Sequence, residues 1–228
     1  MSNSLSIAQP RKRALLWLWP LMWGTLLLLS VVAMSAAEPL FRWIEPDARQ
    51  VIYDRADFYV LLGRHLLVVG IAALVTVVVG VSAGIVVTRE RGSDFLPLVG
   101  QLASLGQTFP PVAVLALAVP VLGFGTLPII VALMLYGMLP IVRNTLAGLQ
   151  EVDIDIKTAA HAMGMTPTQT LRYVELPLAA PVILAGIRTS VTINIATAAL
   201  GATVGASNLG DPIISGIVNG NMAYVVQG

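Results

Sequence analysis

The chain contains no cysteine, which excludes disulfides, thiolate nucleophiles and cysteine-based metal sites at the outset. Its two histidines, His65 and His161, are too few for a histidine metal cage, and nothing in the sequence asks for a cofactor. Charge is scarce. Asp, Glu, Lys and Arg make up 11% of 228 residues, and 13 basic against 12 acidic side chains leave a net charge of +1. That balance offers no electrostatic footprint for nucleic acid or for an acidic substrate. The phosphate-binding pattern G-x-x-x-x-G-K-[ST] is absent, as are H-E-x-x-H and G-x-S-x-G, which Gly205-Ala206-Ser207-Asn208-Leu209-Gly210 misses by one residue. The chain therefore assigns itself no catalytic residue and reads as a non-enzyme.

What is abundant is apolar surface. Hydrophobic residues reach 57% and the mean hydropathy is +0.84, the composition of a chain that lives in lipid. A hydrocarbon core about 30 Å thick takes roughly 20 apolar residues as a helix, and charge-free stretches supply five or six such candidates. The first is Ala14 to Ala37, behind Arg11, Lys12 and Arg13 and carrying Trp17, Trp19 and Trp23. It exceeds the apolar core of about 7 to 15 residues usual in a signal peptide, so a retained span is expected. Leu66 to Thr88 gives the second. From Phe95 to Val142 there are 48 uncharged residues, enough for two crossings at about 1.5 Å each, with the break at Gly123-Phe124-Gly125. A further span runs from about Pro181 to Ala202, interrupted by Arg188, and an apolar tail covers Pro212 to Gly228. The expected fold is all-α, a polytopic transmembrane bundle.

Lys and Arg counted over the short loops orient it. With the N-terminus in the cytoplasm, Arg11, Lys12, Arg13, Arg89, Arg91, Arg143, Lys157 and Arg172 lie inside, against Arg42, Arg49, Arg55 and Arg64 in the outer loop. That outer loop, Glu38 to His65, is expected to be a solvated connector. The chain divides into residues 1–58, holding the N-terminal tail, first span and outer loop, and residues 59–228, a membrane domain with one structured cytoplasmic insertion at 143–177.

The insertion has internal order. Val152, Ile156, Ala159, Ala160 and Met163 fall on one helical face, and Gly164 ends that helix as a residue free to turn left-handed. Thr166 and Gln169 have the spacing of a capping box with Pro167 at the first helical position, so a second short helix is expected. It should finish before Pro177. Two helices hinged at a glycine, with an apolar face pointing off the membrane, make a docking knob.

These residues carry a resemblance. Thr158-Ala159-Ala160, three residues, Gly164, nine residues, Val174, one residue and Leu176-Pro177 resemble the EAA loop of binding-protein-dependent ABC importer permeases. The likeness extends over most of the chain from about Tyr59. Gly106-Gln107-Thr108-Phe109-Pro110-Pro111, the run Val119 to Gly125 and the stretch Leu176 to Gly210 are similar to the branch that moves glycine betaine, choline and related osmoprotectants. The resemblance implies a type-1 permease domain in the bacterial inner membrane whose loop is the coupling helix seated in a groove of a cytoplasmic ABC ATPase. It also implies a second permease chain, identical or paralogous, and an extracytoplasmic substrate-binding protein. Two departures stand out. Thr158 occupies the position the motif's name gives to Glu, and Gly228 falls short of a final full span the family would have.

The polar residues within the apolar stretches are the candidates for a translocation path: Gln107, Thr108, Arg188 and Asn194. Ionisable groups in a span are functional hypotheses by default, although Arg188 lies close enough to the cytoplasmic end to snorkel back to the interface. Gln107, Thr108, Pro110 and Pro111 should break the third span, because prolines free carbonyls that a neighbour or a wet cavity must satisfy. Gly80 and Gly84 form a G-x-x-x-G pair read as close helix packing. The tryptophans belong to the first span and its flank, where interfacial anchoring is the default, and build no aromatic cage for a quaternary ammonium. Selectivity is therefore expected on the binding protein. A permease for another small solute, such as an amino acid, stays open. A self-sufficient secondary transporter would need an inverted repeat and intramembrane carboxylates, and neither is found.

Overall fold

The computed structural model describes the backbone of residues 11–228 and side chains from residue 18 onward. The tail 1–10 and the side chains of Arg11, Lys12, Arg13 and Trp17 lie outside the described residues, and with them the basic flank expected to orient the chain. Every regular element described is helical.

Helix α1 (Arg11–Val32) is followed by a 3-10 turn at Met34–Ala37 and by α2 (Glu38–Ile44). The axes of Leu18–Val32 and Met34–Ile44 differ by 74°, so the first apolar run leaves the membrane direction at Ala33. Helix α3 (Phe58–Val87) begins at Asp57, in extended conformation, and closes at Thr88, whose hydroxyl donates to the Ile85 carbonyl at 2.8 Å. Its 30 residues span about 45 Å. Then come α4 (Leu96–Leu105), α5 (Pro111–Leu122) and α6 (Thr126–Gln150). The α5–α6 break falls at the expected glycines, with φ of +76° at Gly123 and +117° at Gly125.

Helices α7 (Ile154–Ala162) and α8 (Pro167–Thr170) form the insertion expected on the cytoplasmic side, and α9 (Leu176–Ala198) is the last long helix. The expectation that the second loop helix ends before Pro177 is corrected here. Residues Leu171–Glu175 form a π-turn that carries α8 straight into α9, with the Leu176 N–H bonding back to the Leu171 carbonyl. Pro177 lacks an N–H, and its ring would strike the carbonyl four residues earlier in a regular α-helix. The wider π-turn absorbs that mismatch instead of ending the helix.

Three continuous stretches, Phe58–Val87, Thr126–Gln150 and Pro167–Val204, are long and apolar enough to cross a membrane, and the bent α1–α2 pair brings the number to four. The other apolar stretches are shorter. The expected third span is split into α4 and α5, and the tail folds into α10 (Gly210–Asn219) and α11 (Met222–Gln227).

The bundle is organised by α3, α6 and α9. Inside lipid the tails are as apolar as leucine, so helices associate by close packing rather than by hydrophobic transfer. Small residues make that packing possible. A Cβ on Gly80 would lie 2.9 Å from Ile141 Cγ2 and one on Gly84 2.6 Å from Thr145 Cγ2, which bears out the reading of the G-x-x-x-G pair. Between α6 and α9, Gly186 sits against the Pro140 carbonyl and Asn144, and Gly148 against Ala179. The buried face of α9, Ala179, Ile183, Gly186, Ser190, Asn194 and Ala198, repeats at three and four residues, as one helix stripe must. Toward the α5–α6 break Val68, Val69, Ala72, Leu115, Ile129, Leu133 and Ala198 close a single apolar cluster.

The outer loop is not a solvated connector. Phe41, Val51 and Tyr53 are buried, because the tail helices fold back over them. The Gln227 side chain accepts from the Tyr53 N–H at 3.0 Å and donates to the Val51 carbonyl at 2.5 Å. Tyr53 stacks edge-on against Tyr224 and Phe58. Leu40 and Trp43 are exposed beside the loop's charges, whereas Phe41, Val51 and Tyr53 turn inward.

Candidate functional site: the coupling loop and the polar face of the last long helix

The insertion is built on local capping. Asp153 caps α7 by accepting the Asp155 N–H at 2.8 Å, and Lys157 Nζ ties the helix back to the Leu149 carbonyl at 3.2 Å. At its far end Gly164 has φ of +82°. The Gly164 N–H bonds to the His161 carbonyl and the Met165 N–H to the Ala160 carbonyl, the double closure of a Schellman motif. Thr166 and Gln169 then form the reciprocal capping box. The hinged pair expected from the sequence is present, and its hinge is a left-handed glycine.

The apolar face is divided, however. Val152 precedes the helix and is buried, as is Ala160, whereas Ile156 and Met163 are exposed together with Ile154. Ile156, Ala159 and Met163 share one exposed face of the knob, Ile154 is exposed on the opposite side of α7, and Ala160 anchors it. Thr158, at the motif position named for Glu, is exposed and its hydroxyl donates to its own helix at the Ile154 carbonyl, 2.8 Å away. Val174 lies half-buried in the π-turn, and Leu176 packs with Leu149, Ala179 and Ile183 at the root of α9. Pro177 is exposed.

Of the four path candidates, Arg188 lies in a groove. Together with Thr189, Thr192, Pro181, Leu184 and Ile193 it lines a shallow trough of about 670 Å³ along α9. No carboxylate pairs with Arg188 among the described residues. The hydroxyls of Thr189 and Thr192 donate to the carbonyls four residues back, so the trough is lined mainly by apolar surface and one guanidinium. Asn194 is elsewhere. It is fully buried with Ser190, facing Gly137 of α6 and Thr76 of α3, and neither its amide nor the Ser190 hydroxyl has a hydrogen-bond partner.

Gln107 and Thr108 lie in the α4–α5 break. Thr108 donates to the Ser104 carbonyl at 3.2 Å. Gln107 Nε2 donates to the Tyr136 carbonyl at 3.0 Å, an acceptor left free because Pro140, four residues on, has no N–H. Tyr136 reciprocates, its hydroxyl donating to the Phe109 carbonyl. The two proline breaks therefore satisfy one another across α4–α5 and α6. Sequence reasoning had the prolines without the partner, Tyr136, because a residue 29 positions away leaves no local signature. It also missed the pair formed by Arg89 and Glu175. Glu175 is an acid at the root of a span, two residues before Pro177, and that position was the signal available.

Comparison with known proteins accounts for the arrangement. Residues 77–227 match the family model described as "Binding-protein-dependent transport system inner membrane component". The chain is similar to the osmoprotectant import permease protein OsmY of Salmonella typhimurium, 44% identical over 79% of this chain and 75% of that one. It is also similar to the choline transport system permease protein OpuBB of Bacillus subtilis, 41% identical over 72% and 75%. Among solved structures, a chain of the MetNI methionine ABC transporter superposes with a TM-score of 0.60 at 24% identity, over 69% of this chain and 78% of that one, a likeness of fold. This chain belongs to the inner-membrane components of binding-protein-dependent transport systems, as a non-catalytic permease subunit.

Proposed function

We propose that the chain forms part of the passage for an osmoprotectant such as glycine betaine or choline, in an importer driven by ATP hydrolysed on separate cytoplasmic ABC ATPase subunits. The observation that carries the transport reading is the knob at 143–177. Two short helices meet at left-handed Gly164 and present Ile156 and Met163 to the outside, the surface an ATPase groove would receive. The substrate class follows the osmoprotectant and choline transport for which OsmY and OpuBB are named.

In this reading the N-terminus is cytoplasmic and residues 59–228 are the permease domain proper, preceded by the tail, first span and outer loop of 1–58. A second permease chain, identical or paralogous, completes the passage, and the groove along Arg188 and Thr192, together with the break at Gln107 and Thr108, faces it. Asn194, buried between helices, supports the passage wall from behind. No aromatic cage is found among the described residues: Trp19, Trp23 and Trp43 are exposed on α1 and α2. Selection of the solute is therefore assigned to an extracytoplasmic binding protein.

Reconstitution in proteoliposomes with its ATPase and binding protein tests the reading. Uptake of glycine betaine or choline is expected to require ATP and to exceed that of charged amino acids. Exchange of the binding protein for one of different specificity that still docks should change the solute carried. Uptake without ATP, or unchanged selectivity after the exchange, overturns it.

A further inference from the structure

Two ion pairs are found among the described residues. Arg42 and Glu38 form an exposed pair within α2, the kind that contributes little. Arg89 and Glu175 are different. They lie 86 positions apart and meet twice, Nη2 to Oε2 at 2.5 Å and Nη1 to Oε1 at 3.2 Å. Glu175 is 5% exposed, so its carboxylate has given up water for this one guanidinium. The guanidinium is aimed from the other side as well. Its Nε and Nη2 donate to the Thr88 hydroxyl, which itself donates to the Ile85 carbonyl and so closes the end of α3.

A bidentate charge pair fixes direction as well as distance, and its position gives it work beyond stability. Glu175 is the last residue of the π-turn Leu171–Glu175, the stretch where the path from knob to α9 departs from regular helix. Arg89 directly follows the capping residue of α3, the helix that holds Gly80 and Gly84 against α6. The covalent chain gives the knob two routes into the bundle, to α6 through residues 151–153 and to α9 through the π-turn. The ion pair adds a directional tie to α3, whose Val81 and Ile85 also pack in the apolar cluster that holds Leu149, Leu171 and Leu176.

We propose that Arg89 and Glu175 are positioning residues that clamp α3 to the coupling loop, so that displacement of the knob by the ATPase moves α3 together with α6 and α9. This rests on the coupling role of the knob proposed above. Without the clamp, strain entering at the knob reaches α3 only through non-directional apolar packing and dissipates in part in the π-turn. ATP is then hydrolysed without a matching movement of solute.

The test uses the assembled transporter in proteoliposomes, with four readouts: recovery of the ATPase with the permease, basal ATP hydrolysis, its stimulation by loaded binding protein, and solute moved per ATP. Glu175→Gln and Arg89→Gln are expected to assemble and to keep basal hydrolysis within about twofold, while stimulation and solute per ATP fall about tenfold. Arg89→Lys, which keeps the charge but not the fork, should retain a larger share of the coupling than Arg89→Gln. Wild-type solute per ATP in both Gln variants overturns the clamp. So does a loss of uptake that merely follows the amount of complex recovered, or equal loss in Arg89→Lys and Arg89→Gln. A wild-type complex that hydrolyses ATP on stimulation yet moves no glycine betaine or choline overturns the substrate reading alone, and the clamp is then scored by stimulation. A wild-type chain that recruits no ATPase overturns both.

Discussion

Gly137 of α6 lies directly against Ser190 of α9: a Cβ at Gly137 would come within 2.5 Å of the Ser190 hydroxyl oxygen, 3.1 Å of Asn194 Nδ2 and 3.3 Å of Thr76 Cγ2. Three helices therefore converge on the one position that carries no side chain. Ser190, Asn194 and Thr76 are all fully buried, so none can swing into solvent to make room. Gly137→Ala is expected to destabilise the folded chain by about 1–3 kcal/mol through overpacking. Gly70 in α3 has open space around it, and Gly70→Ala should be neutral or slightly stabilising, since alanine is the better helix former by about 0.5–1 kcal/mol. Thermal unfolding of both variants in the same detergent checks the pair, and equal midpoints would contradict the packing described.

The break between α4 and α5 is expected to be equally intolerant at Gly106. There a Cβ would meet the Leu135 carbonyl oxygen at 2.2 Å, and backbone cannot rotate aside. Gly106→Ala should push the break off α6 and pull Gln107 from the Tyr136 carbonyl, leaving a buried acceptor unpaired. Tyr136→Phe removes only the hydroxyl that reaches Phe109 and should cost about 1 kcal/mol. The ordering of the two, alanine worse than phenylalanine in yield of folded protein and in unfolding temperature, is the outcome to measure.

Gly164 offers the reverse situation. Nothing stands within 4 Å of a Cβ there, yet φ is +82°. The cost of Gly164→Val is thus conformational, about 1–3 kcal/mol for a β-branched residue held left-handed. Relief comes from tilting α7 against α8. Transport and recovery of the ATPase should fall together, with Gly164→Asn much milder because asparagine tolerates this region. Normal uptake by a stably expressed valine variant would sink the coupling assignment.

The orientation is tested through the absence of native cysteine. With an impermeant thiol reagent on intact cells, a cysteine replacing Asp47 should label and one replacing Gln169 should not. Permeabilising the cells should make Gln169→Cys reactive. Opposite labelling would invert the topology.

What could be read in the sequence was what depends on neighbours in the chain. A charge-free run such as Leu66–Thr88, the glycines at 123 and 125, the left-handed Gly164 and the Thr166 capping box all act through local backbone geometry. Contacts at long range were out of reach. Gln107 and Tyr136 find each other because two prolines leave carbonyls needing donors, and nothing near either residue says which donor arrives. Pro177 misled for a related reason. A proline signals the end of a regular α-helix, and a π-turn is the exception that lets the helix pass. The outer loop read as solvated from its acids and arginines, while the residues between them, Val51 and Tyr53, were waiting for Gln227.

The π-turn also has an angular meaning. An α-helix rotates about 100° per residue, and a π-turn accommodates one residue more than an α-turn. The azimuth of the knob about the α9 axis is therefore offset by about that angle from where an unbroken helix would aim it. The bearing of Ile156, Ala159 and Met163 on the knob is consequently set apart from the bearing of Arg188 and Thr192 along the bundle. Chain length within Leu171–Glu175 is a steering setting: one residue fewer would re-aim the exposed face of the knob while leaving its own shape, and the groove, as they are.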